Sequence, residues 1–187
     1  MKVIKYPAKE EWSEIVKRPH LDVSKLNATV QGVLDDVKKH GDEAVKRYEE
    51  MFDHAHLDSL AVTEAEIEEA EQLVSQELKD ALHLAHHNIA AFHQSQKFAG
   101  EKVETCPGVT CWQKSVAIQK VGLYIPGGTA PLFSTVLMLA TPAKIAGCEE
   151  IVLCTPPNQE GKVNPAILMA AKIAGVSKIF KAGGVQA

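Results

Sequence analysis

Two glycine pairs stand where the backbone could meet a flat or charged ligand. In "LYIPGGTAPLFS" (123–134) an apolar, strand-like run stops at Pro126-Gly127-Gly128, Thr129 follows, and a helix-like run begins. In "FKAGGVQA" (180–187) a second run ends at Gly183-Gly184. Glycine takes positive φ and lets a ligand approach the main chain. A helix starting just beyond offers free N–H groups and a partial positive charge to a pyrophosphate. Tyr124 adds an aromatic face and a hydroxyl near the same edge. The same turns can also serve only to reverse the chain. Neither GxGxxG nor GxxxxGKS/T occurs, so a nucleotide site and a packing turn both stand at this point.

The histidines raise a second chemistry. His83, His86, His87 and His93 fall on one predicted helix, and His83 and His87 are four apart, as two ligands of one metal require. The apolar stripe Leu78, Leu82, Ala85, Ile89 and Phe92 defines the buried face of that helix, and His83 and His87 lie opposite it. No HExxH occurs and no acidic residue is placed to orient the rings. The reading is an exposed histidine pair and no metal ligand in this chain. His54 and His56 sit in a predicted loop without a pattern. Cys106, Cys111, Cys148 and Cys154 form no C-x-x-C and are read as reduced structural thiols.

The elements that must position these groups come in two kinds. Residues 1–118 read as a helical region with a β-hairpin. Val23, Leu26, Val30, Val33 and Val37 form an amphipathic stripe that Gly41 stops. Val45, Tyr48 and Phe52 repeat it briefly. Thr63 and Glu66 form a capping box, Ser75 restarts or continues the helix, and the acidic run Glu64–Glu71 is read as a solvated face. In "VETCPGVTCWQ" a turn at Pro107-Gly108 places Cys106 opposite Val109 and Glu104 opposite Cys111.

Residues 119–187 alternate strand, helix, strand, helix, strand, which predicts a parallel sheet with crossover helices. Asn164 caps the second helix, Pro165 suits its first turn and Gly175 ends it. Pro142 predicts a kink in the first helix, or a break capped by Thr141. In such sheets ligands bind beyond the carboxyl ends of the strands, where both glycine turns lie. At "KAGGVQA" a strand has ended and no further helix follows, so the last strand is expected to have one face uncovered.

Composition sets the outer bounds. The 187 residues are 45% hydrophobic and 24% charged, a globular balance, and the net charge of -4 draws in neither nucleic acid nor an anionic membrane. No signal sequence or membrane span is read, and the expected location is the cytoplasm.

The segment "VGLYIPGGTAPLFSTVLMLATPAKIAGCEEIVLCTPP" (121–157) closely resembles the signature region of the histidinol dehydrogenase family. "GDEAVKRYEEMFD" (41–53), "VETCPGVTCWQ" (103–113) and "FKAGGVQA" (180–187) resemble the family in the same order. The resemblance implies an α/β, aldehyde-dehydrogenase-like fold with incomplete Rossmann-type domains, in which residues 119–187 begin the NAD-binding part. It implies a zinc-dependent, NAD-dependent oxidation of L-histidinol, through an enzyme-held aldehyde, to L-histidine, by a homodimer. Tyr124 and Gln186 match family NAD-contacting residues. Val185 stands where the family has Ala. The family's zinc ligands, its Glu-His acid–base pair and most substrate contacts match nothing before Ala187, so the chain is expected to be part of a longer enzyme and inactive alone. Two alternatives stand beside this reading: a related dehydrogenase of another small alcohol, and a non-catalytic nucleotide-binding module.

Overall fold

The structure, a computed structural model, describes residues 3–19, 24–128 and 131–187. Val23, from the first stripe, and Thr129, from the first glycine turn, lie outside the described residues. A short helix α1 (Trp12–Ile15) precedes α2 (Ser24–His40) and α3 (Asp42–Phe52). Helices α4 (Glu64–Leu73) and α5 (Gln76–Gln94) follow, then a hairpin of β1 (Lys102–Cys106) and β2 (Val109–Trp112). The remainder is β3 (Lys120–Tyr124), α6 (Phe133–Ala146), β4 (Glu150–Thr155), α7 (Pro165–Ala174) and β5 (Lys178–Lys181). No helix among the described residues is long and apolar enough to cross a membrane.

Strands β3, β4 and β5 form a parallel sheet in sequence order, as the alternation predicts. Ile151, Leu153 and Ile179 are buried on one face, where α6 and α7 pack. Helices α4 and α5 lie over α6 and α7, and Ala70, Val74 and Leu82 join the same core. The hydrophobic core thus draws on residues from both sides of the 118/119 division.

Local chemistry explains most boundaries. Thr63 and Glu66 make the predicted capping box, the Glu66 N–H donating to Thr63 Oγ1 and the Thr63 N–H to Glu66 Oε2. Val74 is extended, and the Ser75 hydroxyl accepts from the Leu78 N–H, so Ser75 starts a new helix. Asn164 Oδ1 accepts from the Ala166 N–H, Pro165 opens α7, and Gly175 ends it at φ +74°.

Several expectations are corrected. Helix α6 runs through Pro142 without a break, and Thr141 caps nothing: its hydroxyl is buried without a partner. The carbonyl that Pro142 leaves unbonded belongs to Met138, an exposed residue that water can reach. Cys106 does face Val109, but a bulge near Thr105 shifts the register, so Glu104 faces Thr110 and Val103 faces Cys111. Phe92 lies outside the buried face at 63% exposed. The acidic helix is not merely solvated: Glu69 pairs with Lys162, Glu71 with Lys172 and Glu66 with Lys181.

Strand β5 is buried along one face, and on the other Lys178 is exposed and Phe180 half-buried. Ile179 and Lys181 are buried. Beyond its free edge, Ala61 bridges Phe180 antiparallel, the Val62 N–H donates to the Ile179 carbonyl, and the Lys181 N–H to the Leu60 carbonyl.

Candidate active site: a cleft at the carboxyl ends of the strands

Both glycine turns open onto one cleft of about 690 Å³ beyond the carboxyl ends of β3 and β4. Its walls include Tyr124, Gly127, Gly128, Pro156, Asn164 and Gly184. Asp53, at the end of α3, and Lys162 bring the charges. Lys162 is bound to both carboxylate oxygens of Glu69, at 2.8 and 2.7 Å.

Pro156 is the wedge between the turns. A Cβ on Gly127 would stand 2.5 Å from Pro156 Cγ, and one on Gly183 would stand 2.7 Å from Pro156 Cβ. Gly128 and Gly184 take φ of +148° and +57°, backbone that a side chain strains. Packing therefore explains one glycine of each pair and conformation the other. The turns that satisfy packing are also the turns that wall the cleft.

Tyr124 joins the two turns. Its hydroxyl accepts from the Gly184 N–H at 2.9 Å, and the residue is 41% exposed. Gln186 is placed differently. It is buried, and its Nε2 donates to Glu49 Oε1 at 2.8 Å. The Gly183 N–H donates to the same Glu49 oxygen at 2.8 Å. Glu49 Oε2 and Gln186 Oε1 are buried without a partner among the described residues. Tyr124 thus lines the cleft, whereas Gln186 lies behind its wall.

Burial pushes the Glu49 carboxyl above the usual carboxylate range; the bonds from Gly183 and Gln186 pull it down, and nearby Asp53 pushes it up again. Burial also pushes up the Cys154 thiol, and Glu49 adds to that shift. Cys154 is the opposite of an activated nucleophile. His83 and His87 are exposed, and among the described residues no group of three or more His, Cys, Asp or Glu stands close enough to hold a metal ion.

Sequence reasoning missed Glu49, although a signal existed. Glu49 is four residues after Val45 and three before Phe52, inside the apolar stripe of α3. A carboxylate there must be buried with partners or spoil the stripe.

The parallel sheet and its covering helices define an α/β chain of Rossmann-like type with a cleft at the strand ends. The family model described as histidinol dehydrogenase matches residues 16–187. The histidinol dehydrogenase of Bacteroides fragilis is 66% identical over 187 residues, covering 100% of this chain and 44% of that protein. That of Bacteroides thetaiotaomicron is 64% identical, with 100% and 44% covered. A crystal structure of histidinol dehydrogenase from Elizabethkingia anophelis superposes with a TM-score of 0.91 at 46% identity, covering 96% of this chain and 42% of that one. The chain belongs to the histidinol dehydrogenase family, and it spans less than half the length of these relatives.

Proposed function

We propose that this chain supplies the NAD side of an enzyme that oxidises L-histidinol, by way of the aldehyde, to L-histidine. The observation that carries the reading is the Tyr124 hydroxyl bound to the Gly184 amide, which ties both glycine turns into one wall at the strand ends.

The residues present fit a dinucleotide. Gly128, with open space where a side chain would stand, leaves main chain accessible to a flat ring, Tyr124 offers a ring face and a hydroxyl, and the α7 N-terminus at Asn164 reaches the same cleft. Gln186 belongs to the site in this reading through the turn it closes. A dinucleotide held by these residues would supply the hydride acceptor for oxidation of the substrate carbon. The chain's own part is to hold it at a cleft open enough for one cofactor to leave and a second to enter. The zinc ion that the family implies finds no fitting set of ligands among the described residues. Zinc, the acid–base pair and the substrate contacts belong, in this reading, to sequence that the longer relatives carry. Homodimer assembly and a cytoplasmic location are part of the same proposal.

The test is NADH formation from L-histidinol, NAD+ and zinc, with this chain beside a version extended to its relatives' length. Turnover by the extended version alone supports the reading. Turnover by this chain alone overturns it, and an extended version that oxidises only other alcohols reassigns the substrate.

A further inference from the structure

One buried side chain of helix α3, Glu49, backs the turn that walls the cleft. Glu49 is 0% exposed, yet nothing in the NAD reading uses it. Its Oε1 collects two donors from a single turn, the Gly183 N–H and Gln186 Nε2, each at 2.8 Å. A buried oxygen with two short bonds fixes both donors, because breaking either leaves a buried polar group unpaired. Gly184, between them, carries the N–H that meets the Tyr124 hydroxyl. The turn is therefore held at both sides, by Glu49 from behind and by Tyr124 at the cleft.

We propose that Glu49 is a positioning residue for NAD: by holding Gly183 and Gln186 on one buried oxygen, it sets the turn that, with Tyr124, forms the cofactor wall. The inference rests on the NAD reading above. The contact is a matter of reach, so it separates two conservative substitutions. Glu49→Gln keeps an acceptor at the same length. Glu49→Asp keeps the charge but withdraws the carboxyl by about 1.5 Å, one carbon–carbon bond. Two bonds of 2.8 Å cannot both survive that retreat.

The experiment measures NAD+ binding and steady-state kinetics on the chain extended to its relatives' length. Glu49→Asp is expected to raise the Kd and the Michaelis constant for NAD+ about tenfold, with kcat at saturating NAD+ and zinc content unchanged. Glu49→Gln is expected to stay within about twofold of the unsubstituted protein. The reverse order, an unaffected Glu49→Asp, or a loss confined to kcat overturns the proposal. If Glu49→Asp does not fold, Glu49→Gln is compared with the unsubstituted protein by hydrogen exchange at the Gly183 amide. Protection and NAD+ affinity that stay or fall together support the proposal, and either changing without the other overturns it. If the unsubstituted extended protein binds no NAD+, the cofactor reading fails and this role falls with it. Exchange at Gly183 still shows whether Glu49 holds the turn.

Discussion

Glu66, on α4, and Lys181, at the end of β5, form an ion pair whose side chains are only 20% and 11% exposed. The same Glu66 closes the capping box on Thr63. One carboxylate thus starts a helix and anchors the last strand of the sheet.

Replacing Lys181 by Met should destabilise the extended protein by roughly 1–3 kcal/mol, because Glu66 is left partly buried without its cation. The pH dependence has a defined sign. Burial pushes the Glu66 carboxyl up, but Lys181 and Thr63 outweigh it and its pKa is lowered. Its contribution is therefore present above the unfolded carboxylate pKa, about 4.3, and lost as pH falls through the folded value. Denaturant unfolding across the acid range should show this loss, weakened in Lys181→Met. An identical acid profile in both proteins would exclude the pair as its source.

The two glycines against Pro156 should respond differently to relief. Gly127→Ala brings a Cβ to Pro156 Cγ, an atom that Pro156→Ala removes. Gly183→Ala meets Pro156 Cβ, which alanine retains. Each glycine substitution alone should cost roughly 1–3 kcal/mol by overpacking. In double-mutant cycles by thermal unfolding, Pro156→Ala should recover most of the Gly127→Ala loss and little of the Gly183→Ala loss. Equal recovery would show that the turns move as a unit.

Tyr124→Ala in the extended protein should raise the Michaelis constant for NAD+ about tenfold, the scale of one lost hydrogen-bonded contact. Metal analysis should find its zinc content unchanged. Lost zinc with unaltered NAD+ kinetics would remove Tyr124 from the cofactor site.

The double substitution His83→Ala with His87→Ala should leave activity unchanged and shift stability by no more than about 0.5 kcal/mol, as expected of exposed side chains. A zinc-depleted product would make α5 a metal helix.

What the sequence disclosed was what short-range chemistry controls. The capping box at Thr63, the Asn164 cap and the Gly175 stop each depend on a few neighbouring residues, and each formed as read. The strand and helix alternation after residue 119 gave the parallel sheet, because buried parallel strands write themselves as apolar runs. What stayed hidden depended on partners distant in sequence. The acidic run of α4 reads as solvated until Lys162, Lys172 and Lys181 arrive from the other half of the chain. Glu49 stands inside the α3 stripe, but the sequence does not name the partners that bury it, Gly183 and Gln186. The hairpin register failed for a local reason, since a single bulge moves every later pair. The resemblance named Tyr124 and Gln186 as a pair, whereas the fold sets Tyr124 at the rim of the cleft and Gln186 behind it.

The segment at 60–62 that runs along β5 also gives the sheet a direction of growth. With that border occupied, a further strand, from this polypeptide or another, cannot simply add beside β5. The outer edge of β3 has no pairing partner among the described residues, and its Lys120, Gly122 and Tyr124 are exposed. A sheet that widens can do so there, and a parallel strand added beside Tyr124 would bring its carboxyl end to the same side as the cleft.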